Sequence, residues 1–237
     1  MDVLLGSVGQ QDTATTLRVV GLDSTGFALL LVGAGGHARV CLEALRDRTG
    51  VRVVGCVSAD GVAIAGLQVP MVGTDDDLVA AALRSGATHA FVAIGDNATR
   101  SAVMGRCVAA GLQLVNAISG FAMVSPAVEL GVGVAVLPGA VVNAACSVAD
   151  GVIVNTRASV DHDCVLDAAV HIAPGATLGG GVQVGARSLV GIGAVIAPYL
   201  TVGSDVVVGA GAVVVRDVPD GVTVVGVPAR AIPGRSS

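Results

Sequence analysis

The sequence predicts an α/β domain on a parallel, Rossmann-like sheet, followed by a parallel β-helix of hexapeptide repeats. Three observations predict it. Stepping by six from Ile118 to Val214 meets seventeen aliphatic residues without exception, and the step fails at Asp220. Before Ile118 the pattern changes to short apolar runs alternating with amphipathic stretches, the mark of strands and helices in a parallel sheet. The chain is 53% hydrophobic, yet 34 of its 237 residues are glycine, so many short buried strands joined by tight turns are expected.

The elements follow in order. Residues 1–25 carry Asp2 early and no basic n-region; they read as an N-terminal extension, not a secretory signal. The α/β domain is expected over 26–117. It opens with a buried strand at 28–32, a glycine loop GAGGH at 33–37 and an amphipathic helix over 37–48. A strand at 51–57, a helix over 75–86, a strand at 89–95, a helix over 97–111 and a short strand at 112–115 complete it. The repeat occupies 118–219, about six coils of eighteen residues. Its aliphatic residues point inward and stack, each contributing roughly 1.5–3 kcal/mol when fully buried. Glycine often follows the aliphatic residue (Gly131, Gly179, Gly185, Gly191, Gly203, Gly209), and is expected there to take left-handed turns. Residues 220–237 are expected to form a terminal strand and a tail over the last coil.

Composition excludes several functions. Net charge is −5 with no cluster of basic residues, there is no Trp, and aromatics total 2%, so neither a nucleic-acid partner nor a base-stacking platform is expected. No unbroken apolar run reaches the roughly 18 residues of a membrane helix. Five cysteines without a CxxC pair read as buried, reduced thiols of a cytoplasmic protein.

Chemistry concentrates in three places. GAGGH follows a strand and opens a helix, where backbone amides favour phosphate; Gly35, Gly36 and His37 are the candidate contacts. The alternative is a glycine turn that only packs helix on strand. Asp60, just past the second strand, is placed to meet a ribose. The stretch IGDN (94–97), followed by Arg100, ends another strand and faces the same crevice; Asn97 reads as a binding residue or as a plain N-cap. The third place is 159–175, with His162 flanked by Asp161 and Asp163, and His171 nine residues on. Three readings stand: a core histidine, a metal site, or a general base oriented by a neighbouring carboxylate. Neither histidine occupies a core-ladder slot. Nine residues is half a coil, so two rings of one chain lie on different sides of the prism, which argues against a shared metal. Clefts between prisms packed around an axis would bring such residues together from two chains. Cys164 occupies a small-residue slot of the repeat and is expected to be buried.

Taken together, strand–GAGGH–helix, IGDN with Arg100, the hexapeptide repeat, VNTRASVDHDC with VHIAPG, and the ending VPDGVTVVGVPA resemble the bacterial nucleotide-amino-sugar N-acetyltransferases. The likeness is closest to the enzymes of the UDP-bacillosamine pathway; perosamine N-acetyltransferases and sialic acid O-acetyltransferases share the fold. It spans about residues 28–232. It implies a left-handed helix, acetyl-CoA as donor, a homotrimer with active sites between subunits, and direct transfer without metal. Residue by residue, it makes His162 the general base and Asp163 the acid that raises its basicity. It puts His171 near the thioester, Asn155 at the acceptor, and Gly180, Ile192 and Ala210 along the pantetheine and adenosine. Gly35, Gly36 and His37 would hold the nucleotide sugar. The family usually ends its second strand with a paired acid that reads the nucleotide base or ribose; here Ser58 and Ala59 stand in its place, with Asp60 as a substitute one position late, which makes a nucleotide other than uridine, or a non-nucleotide acceptor, the more credible partner. O-acetylation of a sugar hydroxyl, as on a sialic acid, and a non-catalytic binding scaffold are the competing functions.

Overall fold

The computed structural model describes residues 26–46 and 49–232. The expected extension over 1–25 lies outside the described residues. Five strands, β1 (Phe27–Val32), β2 (Val51–Ser58), β3 (Met71–Thr74), β4 (His89–Val92) and β5 (Gln113–Leu114), form an all-parallel sheet. Their order is β3-β2-β1-β4-β5. Side chains of β1 alternate between two cores. Leu29 and Leu31 pack with Ala38, Cys41, Leu42 and Leu45 of α1 (Gly36–Arg46). Leu30 and Val32 pack with α2 (Leu78–Ser85) and α3 (Asn97–Ala109) on the other face. The strand order reverses between β1 and β4, which opens a crevice at their carboxyl ends.

Local signals account for the differences from the sequence reading. β3 was not expected: it is four half-buried residues, follows Pro70 and contains Gly73, so no periodicity announces it. α2 begins at Leu78 and not at 75, because Asp77 is its N-cap and accepts from the Ala80 amide at 3.0 Å. α3 is capped by Asp96, which accepts from the Thr99 amide at 2.8 Å, so Asn97 is the first helical residue and not the cap. β4 ends at Val92, three residues earlier than expected.

Beyond β5 the chain winds as a left-handed parallel β-helix. Two-residue strands stack into three faces with an eighteen-residue register. Face one contains Ile153–Val154, His171–Ile172 and Leu189–Val190; face two Ser159–Val160 and Thr177–Leu178; face three Ser147–Val148 and Val165–Leu166. Val136, Val154, Ile172, Val190 and Val208 are fully buried along face one, and Ala158, Cys164, Ala176 and Ala194 fill the slots two residues before other rungs. Ser188 occupies such a slot fully buried, donating to the Gly203 carbonyl at 2.6 Å and accepting from the Val206 amide at 2.9 Å. Past Asp220 the coil is closed by Thr223–Val225, parallel to Val207–Val208, and by Arg230–Ile232, which turns back antiparallel.

The glycine rule needs correction. From Leu130 to Val208, left-handed turns fall three residues after each aliphatic rung, not one, and are occupied by Gly139, Gly151, Arg157, Asp163, Gly175, Arg187 and Tyr199 among others. Glycine directly after the rung serves close approach instead: a Cβ on Gly191 would lie 2.5 Å from the Val208 carbonyl oxygen of the next coil.

The two folds share one core. Ala117, Ala135, Leu137 and Ile153 of the β-helix belong to the same buried cluster as α1. The α/β unit therefore sits on face one, one coil below His171. All five cysteines are buried. Among the described residues no helix is long and apolar enough to cross a membrane.

Candidate active site

His162 and Asp163 form the turn that links face two to face three. Asp163 adopts φ +58°, a conformation Asp tolerates better than most residues. Its Oδ2 lies 2.6 Å from His162 Nδ1, with the imidazole half exposed at 51%. That contact, and secondarily the nearby charges of Asp161 and Asp163, raises the His162 pKa above its ordinary value. Nδ1 is thus occupied, and Nε2 is the nitrogen offered outward. Gly180, one coil on, underlies the ring: a Cβ there would come within 2.6 Å of Nε2 and Cε1. Of the two acids beside His162, the structure selects Asp163 for the ring. Asp161 holds the backbone instead: its Oδ1 accepts from the His162 amide at 2.9 Å and from Asn143 Nδ2 at 2.8 Å. These bonds keep the Asp161 carboxyl low, Asn143 contributing most.

His171 begins its strand on face one and meets the α/β unit. Its ring centroid lies 6.4 Å from that of His37. Asn155 Oδ1 accepts from the Thr156 amide at 2.8 Å, which directs Asn155 Nδ2 to His171 Nε2 at 3.0 Å. Nε2 must then accept, so Nδ1 carries the proton. Burial, reinforced by the Arg100 charge, lowers both His37 and His171 to about 4. Both are neutral at physiological pH, and in this arrangement His171 Nε2 presents no proton to an oxyanion.

The crevice at the carboxyl ends of β1 and β4 is framed by GAGGH. A Cβ on Gly35 or Gly36 would meet nothing within 4 Å, so their backbone is open to approach. Asp60 is exposed, and its Oδ1 accepts from the Val62 amide at 3.0 Å and lies 2.9 Å from Ser58 Oγ. The amide bond first, and the hydroxyl second, hold its carboxyl below the usual range. Asn97 is engaged within the chain: Nδ2 donates to the carbonyls of Arg187 and Ser188 at 2.8 and 3.1 Å, and Oδ1 accepts from Arg100.

The structure brings His37, His171 and Asn155 together at the junction, and His162 with Gly180 at one edge. Ile192 and Ala210 are exposed one above the other at the turn between faces one and two, a different edge of the same prism. Sequence reasoning missed Asn143, whose position in the repeat looks like any other turn. It also missed the side-chain role of Arg100, a fully buried cation. Cys164 is fully buried and burial pushes its thiol up to about 11, which removes it as a nucleophile. Among the described residues no three His, Cys, Asp or Glu side chains are grouped to hold a metal ion.

An open α/β crevice joined to a β-helix with a carboxylate-paired, outward imidazole is the arrangement of a left-handed β-helix acyltransferase. Comparison with known proteins narrows the class. The model of the PglD N-terminal domain matches residues 28–107. PerB from Caulobacter crescentus, in complex with CoA and GDP-perosamine, is 45% identical over 90% of this chain and 100% of that one, with a TM-score of 0.82. The perosamine N-acetyltransferase of that organism has also been solved with one histidine replaced by asparagine or alanine. The acetyltransferase domain of PglB from Neisseria gonorrhoeae, in complex with acetyl coenzyme A, is 41% identical over 87% of this chain and 100% of that one, with a TM-score of 0.78. No curated protein sequence gives a significant match. The chain belongs to the hexapeptide-repeat family of nucleotide-amino-sugar N-acetyltransferases.

Proposed function

We propose that the chain transfers the acetyl group of acetyl-CoA to the amine of a sugar linked to a nucleoside diphosphate, with His162 as general base. The observation that carries this reading is the outward imidazole with Nδ1 fixed 2.6 Å from Asp163. The nucleotide would lie in the crevice with its diphosphate at the Gly35–Gly36 backbone and the start of α1. The neutral amine attacks the thioester carbonyl, and His162 Nε2 takes the ammonium proton as the C–N bond forms. The C–S bond then breaks, and the proton passes to the departing CoA thiolate. Asp163 stabilises the imidazolium between these steps. The complexes of PerB with CoA and GDP-perosamine, and of the PglB domain with acetyl coenzyme A, support both substrates. Replacement of the paired acid by Ser58 and Ala59 favours a nucleotide other than uridine.

The subunits assemble as trimers in this reading, which unites His162 of one chain with the junction of another. Apolar side chains exposed on and beside face two support it: Phe121, Met123, Ile192, Val195 and Tyr199. His162→Ala is the test. Thiol release from acetyl-CoA with GDP- and UDP-linked amino sugars should fall at least about 10²-fold, with light scattering still giving three times the 23.0 kDa chain. Unchanged turnover overturns the general-base role, and turnover on hydroxyl acceptors alone overturns the amine.

A further inference from the structure

We infer that Arg100 is a positioning residue for the acceptor, clamping the 94–97 loop of the α/β crevice to the β-helix and so setting His171 and Asn155. The inference rests on the acetyltransferase reading above. Arg100 is fully buried and, among the described residues, carries no carboxylate ion pair. Its guanidinium makes five hydrogen bonds instead. Two run to the loop: Nη1 donates to the carbonyls of Ile94 and Gly95, each at 3.0 Å. Two cross to β-helix turns: Nε donates to the Gly151 carbonyl at 2.7 Å and Nη2 to the Ala169 carbonyl at 2.8 Å. The fifth, Nη2 to Asn97 Oδ1 at 2.8 Å, aligns an amide that itself reaches the Arg187 and Ser188 carbonyls.

A buried cation whose partners among the described residues are carbonyl and amide oxygens is costly to desolvate, so its role is geometric. The planar fork meets the 94–97 segment of the α/β unit and two turns of the β-helix at once, which a Lys point charge cannot do. Gly95 is the link to the chemistry. Its carbonyl receives Arg100, and Gly95 lines one small cavity together with His171 and Asn97; His171 Nε2 in turn accepts from Asn155. Gly95 of the crevice loop, held by Arg100, and His171 of the β-helix, held by Asn155, therefore meet at one cavity. Arg100 touches no reacting atom; it acts through the groups it holds. Loosening it shifts the loop and Asn155 relative to the sugar, and leaves His162, on another edge, as it was.

The test is steady-state thiol release by Arg100→Lys and Arg100→Gln, beside wild type, varying each substrate in turn. kcat/KM for the nucleotide amino sugar should fall at least about 10-fold, while KM for acetyl-CoA stays within about two-fold and the acid limb assigned to His162 keeps its pKa. Histidine ¹⁵N spectra should show His171 protonated on Nδ1 in wild type and a mixture of tautomers in Arg100→Gln. If neither Arg100 variant yields folded protein, Asn97→Ala decides the matter, with the same selective loss at about five-fold or more. A kcat/KM for the sugar within two-fold of wild type, or a KM for acetyl-CoA raised as much as kcat/KM for the sugar falls, overturns the inference. A wild-type chain without turnover on any amine would instead sink the acetyltransferase reading, which keeps the two failures apart.

Discussion

At the scale of single residues, the electrostatics of the exposed histidine follow from one turn. A left-handed φ at Asp163 folds the carboxylate back onto the preceding ring, and Asp161 and Asn143 pin the backbone beneath it. The hydrogen bond raises the imidazole pKa. A general base works as the neutral form, so the rate should climb with pH through a value above the free-imidazole pKa of about 6.5. Asp163→Asn keeps a polar partner at Nδ1 and removes the charge. The acid limb should then move to lower pH, and the plateau rate should fall about 10-fold or more as the imidazolium loses its counter-ion. Thiol release measured between about pH 5.5 and 9 checks both changes; an unshifted limb would separate Asp163 from the base.

At the scale of the element, the β-helix uses glycine for two distinct purposes. Gly193 occupies the left-handed position three residues after Val190, with nothing within 4 Å of a would-be Cβ. Arg187, Tyr199 and Asp205 adopt the same conformation in equivalent turns, so side chains are tolerated there. Gly193→Ala should cost about 1 kcal/mol, the backbone strain alone. Gly191 lacks a positive φ, yet an added Cβ would meet the Val208 carbonyl oxygen at 2.5 Å and neighbouring backbone atoms of the next coil at 2.8 Å. Backbone cannot step aside as a side chain can. Gly191→Ala should therefore cost about 3 kcal/mol, and the ranking of the two variants in urea denaturation is the check.

Across the whole molecule, a pH-dependent part of the stability arises where the α/β unit meets face one of the β-helix, at His37 and His171. His37 and His171 are held near pKa 4, chiefly by burial, and the unfolded chain restores ordinary imidazoles. Between about pH 6.5 and 4 the unfolded state binds protons that the folded state refuses. Stability is therefore fully retained above about 6.5 and declines as pH falls through this window, by up to roughly 3 kcal/mol per histidine. Urea midpoints at pH 7.5 and 5 should show the loss, and His171→Gln should make the pH dependence shallower. Equal slopes would mean that these rings are not the cause.

The hexad repeat and the alternation before it were legible because each is a period, and a period is local. His162 and Asp163 were legible for the same reason: adjacent residues in one turn meet whatever the rest of the chain does. Short β3 was not, because four residues interrupted by glycine carry no period, and the rung glycines were misassigned because their constraint lies in the next coil, eighteen residues away. The sequence by itself determined the two folds, their order and the pairing of an imidazole with a neighbouring carboxylate. Only the tertiary structure decided that Asn97 turns to the β-helix, that Asp161 serves backbone and not ring, and that Arg100 is sealed between the units. Those outcomes depend on which carbonyls and amides of distant segments arrive at one buried point, and desolvation there leaves each polar group no partner but the ones that packing brings.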